Sequence, residues 1–206
     1  MRSSLVRSVV GFTSALLVAA VAATGCSSSS GPGASQVTAT GTIGGRNFTV
    51  SSAMAFAGGT KAANTGPSIG LLISSDSTLT CSSAQSNAYK NVANFTALEF
   101  FVVNGGSAVT TDTYTVAGGA KRVFADSVIS DAKCGDTGGS VTAGTVTITS
   151  LSATSVSGSY DLTIGYQPSG TDHVTGTFDA ALCDLPDSVF DKTVTDGGAP
   201  ACQAKP

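Results

Sequence analysis

Residues 145–182, TVTITSLSATSVSGSYDLTIGYQPSGTDHVTGTFDAAL, carry the pattern that decides the fold. Val156, Gly158, Tyr160, Leu162, Ile164 and Tyr166 occupy every second position, with Ser157, Ser159, Asp161, Thr163 and Gly165 between them. Val174, Gly176, Phe178, Ala180 and Leu182 alternate in the same way with Thr175, Thr177, Asp179 and Ala181. Before both, Val146 and Ile148 alternate with Thr145, Thr147 and Thr149. A period of two puts the apolar groups on one face of a strand and the hydroxyls on the other. The joining segments, 152–155 and 167–172, are short and carry turn residues. The expectation is a three-strand antiparallel meander with one wet face.

Upstream the same code is noisier. Phe48, Val50, Met54 and Phe56 alternate after Gly44-Gly45, and Ile69, Leu71 and Ile73 form another strand. Residues 95–103, FTALEFFVV, are apolar on both parities, as a central strand covered on both sides should be. Tyr114 with Val116, and residues 123–129, bring the total to about eight to ten strands. Ser82 to Val92 has room for a turn or two of helix and no more. Strands with one apolar face must bury it against a second layer, in a sandwich or a barrel. The expected fold is therefore all-β, an antiparallel β-sandwich over residues 37–206. Two segments also repeat a phrase 18 residues apart, Val156-Ser157-Gly158-Ser159-Tyr160-Asp161 and Val174-Thr175-Gly176-Thr177-Phe178-Asp179. Similar packing demands on adjacent strands explain this more simply than duplication.

The composition agrees. Charged residues are 11% of the 206, whereas 29 Ser and 27 Thr exceed a quarter of the chain, which argues against long helices. An acidic excess without clustered Lys and Arg argues against nucleic-acid binding.

The chain begins with Arg2 and Arg7, then an apolar stretch from Val9 to Ala23 broken only by Thr13 and Ser14. This is the layout of a secretory signal. As a helix the stretch would span roughly 22 Å at ~1.5 Å per residue, short of a hydrocarbon core of ~30 Å. Ala23-Thr24-Gly25-Cys26 closes it and resembles the lipobox of bacterial lipoproteins, with Ala23 where Leu is commonest. The resemblance implies a signal peptide over residues 1–25 and a diacylglyceryl group on the Cys26 thiol, with Cys26 as the new N-terminus. Ser27 after the cysteine, by the same analogy, suits outer-membrane sorting in a Gram-negative bacterium. Two or more acyl chains anchor stably where one does not. Residues 27–36 have nothing to bury and read as a flexible tether of roughly 18 Å root-mean-square reach. Without Arg2 and Arg7 the chain holds eight basic and 13 acidic residues, a charge of −5. Anionic lipid would repel such a body, so the anchor rather than electrostatics would hold it at the membrane.

Gly41-Thr42-Ile43-Gly44-Gly45 with Phe48, a strand running into Cys81, Tyr114-Thr115-Val116, and Val174-x-Gly176-Thr177-Phe178-Asp179-Ala180-x-x-Cys183 resemble a loose group of functionally uncharacterised bacterial β-sandwich lipoproteins. Thr111-Asp112-Thr113-Tyr114 departs from the Pro-Gly-Thr-Tyr usual in that group. The group brings no catalytic residues to carry over.

Four further cysteines, Cys81, Cys134, Cys183 and Cys202, suggest two disulfides in an exported chain, with three possible pairings. Pairing of sequence neighbours, Cys81–Cys134 and Cys183–Cys202, closes the shortest loops. Zinc is disfavoured, since no cysteine pair has CxxC-type spacing and His173 is the only histidine. No G-x-S-x-G motif exists, and Ser130-Asp131-Ala132-Lys133 matches S-x-x-K at the rate chance predicts. His173, expected at a turn, reads as solvated. Glu99, the only Glu, interrupts an apolar strand and reads as paired or at a sheet margin. Asp184, Asp187 and Asp191, and Asp131 with Asp136 around Cys134, could offer oxygen to calcium, but D-x-D spacing is absent. Tyr114, Tyr160 and Tyr166 share parity with core residues, which leaves Tyr89 free for stacking on a sugar. The residues thus point to a non-catalytic envelope protein with no cofactor, held to the membrane by lipid and meeting an envelope protein or glycan. The rival is a calcium-dependent carbohydrate binder or an envelope hydrolase.

Overall fold

A computed structural model describes residues 36–58, 68–85, 92–168 and 170–184. Ten strands and one short helix follow in order: β1 (Gln36–Ile43), β2 (Arg46–Asn47), β3 (Ser52–Gly58), β4 (Ser68–Ser74), α1 (Cys81–Gln85), β5 (Thr96–Asn104), β6 (Asp112–Thr115), β7 (Lys121–Ser130), β8 (Asp136–Leu151), β9 (Ser155–Gly165) and β10 (Thr171–Cys183). The protein is all-β, as the alternation implies.

Two stacked sheets are not what forms. The strands make one ten-stranded sheet, in the order β2-β1-β10-β3-β4-β5-β7-β6-β8-β9. Because β9 also pairs with β10, and β7 with β8, the pairings run from β10 through β3, β4, β5, β7, β8 and β9 and return to β10. β1 and β3 share one edge of β10, while β6 and β7 share one edge of β8. Two contacts are parallel, β10 with β3 and β6 with β7, so the sheet is not wholly antiparallel either. The apolar faces are thus buried by closing the circuit, which also removes free edges from the strands within it.

The inner face holds one large core. Ala53 and Ala55 of β3, Ile69, Leu71 and Ile73 of β4, Leu98, Phe100 and Val102 of β5, and the alternating residues of β8–β10 all contribute. Phe100 lies 6.1 Å from the ring of Tyr160 and 6.0 Å from that of Phe178. The repeated phrase finds its reason here. β9 and β10 are antiparallel with Tyr160 opposite Gly176 and Phe178 opposite Gly158. A Cβ on Gly176 would meet the Tyr160 hydroxyl at 2.5 Å, and one on Gly158 would meet the Phe178 ring at 2.7 Å. Each copy supplies a gap for the other's ring. Tyr114 is fully buried; its hydroxyl donates to the Thr110 carbonyl at 2.9 Å and accepts from the Thr110 amide at 3.0 Å. That bond back to the preceding corner has the form of a tyrosine corner.

The expectation for residues 95–103 holds: a second, smaller core covers the outer face of the same region. Met54 and Phe56 of β3, Leu72 of β4 and Ala97 of β5 pack there with Leu79, Ala84, Val92 and Phe95. Phe48 belongs to the inner core and Phe56 to the outer one, so the alternation from 48 to 56 is not one face of one strand. Of the helix room at 82–92 the described part holds α1, whose start is held by Ser83 and Thr80, which exchange hydrogen bonds of 2.8 and 3.2 Å.

A disulfide joins Cys81, at the start of α1, to Cys183, at the end of β10, with Cα atoms 5.3 Å apart. This overturns the pairing of sequence neighbours. β10 ends beside β3, with Cys183 opposite Phe56, so the outer cover lies next to Cys183 although 102 residues separate the two cysteines. It is the one bridge between described residues. Cys134 is not a free thiol, and Cys202, like Cys26, lies outside the described residues.

Outward, the wet face is a set of hydroxyl rows. Thr113, Thr147, Ser159, Thr177 and Thr38 stand in register across β6, β8, β9, β10 and β1. Thr113 and Thr147 share a hydrogen bond of 3.0 Å, as do Thr38 and Thr177 at 2.8 Å. Such pairs each add roughly 0.2–1 kcal/mol to a sheet.

Candidate binding cleft

The strand β8 starts nine residues before the alternation at Thr145 suggests, at Asp136. Its first part pairs with β7 and its later part with β6, and a register shift falls between Val141 and Ala143. Where β8 changes partner, a concavity of about 450 Å³ opens. Gly138, Gly139 and Ser140 line it from β8, Asp126 and Ser127 from β7, and Gly165, Tyr166 and Gln167 from the end of β9. A volume in this range is that of ordinary small-molecule sites.

The lining is held rigidly. Ser127 is buried, and its hydroxyl accepts from the Gly139 amide at 3.0 Å and donates to the Gly139 carbonyl at 3.2 Å. Gly139 has no room for a side chain, since a Cβ there would meet the Tyr166 ring at 2.7 Å. The Tyr166 hydroxyl accepts from the Gly44 amide at 2.8 Å. Partial burial pushes the Tyr166 phenol above its ordinary range; bonds from Gly44 and Ser127 act against this, and the Asp172 carboxylate reinforces it. Behind the tyrosine, Asp172 accepts from Thr42 at 2.6 Å and from the Gly45 amide at 2.9 Å. Burial opposes ionisation of Asp172, but the bonds from Thr42, Gly45, Tyr166 and Gly44 outweigh it and hold the carboxyl below the usual carboxylate range.

A lowered carboxylate pKa contributes stability above the unfolded value of about 3.9, and that contribution is lost as pH falls through the folded value. Asp131 behaves likewise, lowered by bonds from the Gly135 and Lys133 amides, and Asp112 by its pair with Lys121. Thermal melting should therefore be flat from pH 7 to about 5 and decline below about 4. In Asp172→Asn that decline should be shallower. An acid limb identical to the parent's would show that Asp172 does not contribute.

The residues singled out in the sequence are dispersed. His173 is inside β10, opposite Thr163, and pairs with Asp161 at 2.7 Å on the exposed face. It is not at a turn, because β10 begins two residues earlier. Glu99 stands on the outer side of β5, opposite Asp126 and Leu72, and is engaged in an interaction of its own. Ser130 is buried and donates to the Val92 carbonyl at 3.0 Å, so its hydroxyl serves the fold. The Asp131 carboxylate accepts from the Lys133 and Gly135 amides at 2.7 and 2.8 Å and closes the 131–135 loop. Asp184 ends the described region and is likewise engaged, while Asp187, Asp191 and Tyr89 lie outside it. Among the described residues no three His, Cys, Asp or Glu side chains converge as metal ligands. Tyr114 and Tyr160 are buried as parity implies; burial pushes the Tyr160 phenol up, and its hydroxyl donates to the Thr38 carbonyl at 3.0 Å. Tyr166 packs on the core yet also lines the cleft. The available signal for the cleft was three glycines, 138, 139 and 165, that interrupt otherwise alternating strands.

The chain matches no family model, curated protein or solved structure.

Proposed function

We propose that the protein is a lipid-anchored component of the bacterial cell envelope with a non-catalytic structural or binding role. The observation that carries this is the order of its parts: an apolar stretch that reads as a secretory leader and ends in Ala23-Thr24-Gly25-Cys26, a Ser/Gly/Pro-rich stretch, and then the β body. The Cys81–Cys183 bridge supports it, since such bonds persist in oxidising compartments outside the cytosol. The tether lets the body stand off the bilayer, and acylation of Cys26 supplies attachment that an acidic surface cannot. Ser27 favours the outer membrane of a Gram-negative cell. A binding role is favoured over a purely structural one by the preformed cleft beside Tyr166.

Mass spectrometry of the mature N-terminus tests the anchor. The expected result is a diacylglyceryl-bearing Cys26 as first residue, and release of the protein into the soluble fraction by Cys26→Ala. An unmodified N-terminus at any other residue would refute it.

A further inference from the structure

We infer that the cleft between β7, β8 and the end of β9 is a binding site for a neutral saccharide. This deepens the binding half of the preceding proposal and rests on it. The ligand class follows from the lining. Among the described residues no Lys or Arg faces the cleft, and Asp126 does, so phosphate, sulfate and acidic sugars would meet repulsion or unpaired desolvation there. Among the described residues no aliphatic side chain faces it either, so a lipid chain would find no branched apolar partner there. What remains is a set of hydrogen-bonding groups: the exposed hydroxyls of Ser140 and Thr142, the amide of Gln167 and the Asp126 carboxylate, with the Ser127 hydroxyl committed to Gly139 behind them. Tyr166 is the one aromatic ring among them.

A polyhydroxylated ring needs this combination. Its hydroxyls both donate and accept, and a carboxylate can take two of them with charge-assisted strength. Its C–H face is apolar enough to lie on an aromatic surface. The glycines at 139 and 165 let the Tyr166 ring and the Thr142 side chain pack closely on the backbone, which fixes two walls of the cleft next to the register shift after Val141. Tyr166 is fixed before any ligand arrives, by the core on one side and the Gly44 amide on its hydroxyl. Preorganisation of this kind lowers the ordering cost of binding. A single carboxylate among hydroxyls is too few ligands for calcium, so the site binds sugar without a metal.

The test uses the full chain as expressed, in detergent micelles, with nuclear magnetic resonance of the Gly138, Gly139 and Gly165 amides as readout. The probes are maltotetraose and a β-1,4-linked N-acetylglucosamine tetramer, with spermidine and inorganic phosphate as ionic controls. We expect saturable shifts of these amides with at least one tetrasaccharide at millimolar concentration, and none with either ion. Ser140 is exposed, so Ser140→Trp should leave the melting temperature unchanged and abolish the shifts by filling the cleft. Tyr166→Ala should weaken binding about tenfold, the loss of one aromatic contact. If that variant fails to fold, Ser140→Trp alone decides. No shift with either sugar, shifts that survive Ser140→Trp, or binding of spermidine or phosphate at these amides would overturn the proposal. The N-terminal mass reports on the anchor separately, so either result can fail while the other stands.

Discussion

A Gly176→Ala variant is expected to melt about 6–12 °C below the parent protein. Overpacking of a tight site costs up to about 3 kcal/mol, and each kcal/mol moves the midpoint of a chain this long by about 2–4 °C. The added Cβ would collide with the Thr38 carbonyl oxygen and approach the Tyr160 hydroxyl at 2.5 Å and its Cζ at 2.6 Å. Neither neighbour can retreat cheaply. The Thr38 carbonyl belongs to β1, whose register on β10 runs from Gln36–Asp179 to Gly41–Val174, and it also accepts the Tyr160 hydroxyl. The Tyr160 ring is in turn held against Phe100. Gly119→Ala is the matched control: nothing lies within 4 Å of its Cβ position, so its stability should stay within about 0.5 kcal/mol of the parent's. A Gly176→Ala protein that melts with the control would remove the reciprocal packing of β9 and β10 as a source of stability.

Loss of the Cys81–Cys183 bridge should be the other large effect. Closing a loop of about 100 residues removes up to about 4.7 kcal/mol of disorder from the unfolded chain, and measured values commonly fall below this. A double Cys81→Ala, Cys183→Ala variant should therefore melt about 10 °C or more below the parent. The damage should be local before it is global. The bridge ties α1 and its neighbours to the end of β10, and the outer core of Met54, Phe56 and Leu72 sits beneath them. Binding of a hydrophobic dye should rise in the variant below its melting temperature. Peptide mapping without reductant should recover the Cys81 peptide joined to the Cys183 peptide. A variant that melts within a degree of the parent, with no gain in dye binding, would assign the bridge no role in holding that cover.

The strands β9 and β10 were legible because period-two alternation is a local property, fixed by which side chains face a core. β4 was legible from the same alternation, in Ile69, Leu71 and Ile73, and β5 because residues 95–103, Glu99 apart, are apolar where two covers must be satisfied. The start of β8 was hidden by Gly138, Gly139 and Gly144, which carry no hydropathy signal. Closure of the sheet was hidden as well. Which distant strands meet, such as β10 with β3, depends on the whole chain path and leaves no trace in a short window. The cysteine pairing failed on the same point, because shortness of loop was weighed where spatial neighbourhood decides. At the cleft, parity correctly set Tyr166 beside the core. It could not show that a residue one step past the end of β9 also reaches the rim, with its hydroxyl on Gly44.

The matched phrases of β9 and β10 constrain how this protein can change over generations. Phe178 occupies the space left at Gly158, and Tyr160 the space left at Gly176. A methyl gained at either glycine would meet a neighbouring strand's carbonyl as well as the ring, that of Thr38 at position 176 and that of Thr147 at position 158, so a smaller ring alone does not make room for it. Among descendants of this chain, positions 158 and 176 should accordingly stay glycine even where the rings at 178 and 160 change, while the hydroxyl positions beside them vary.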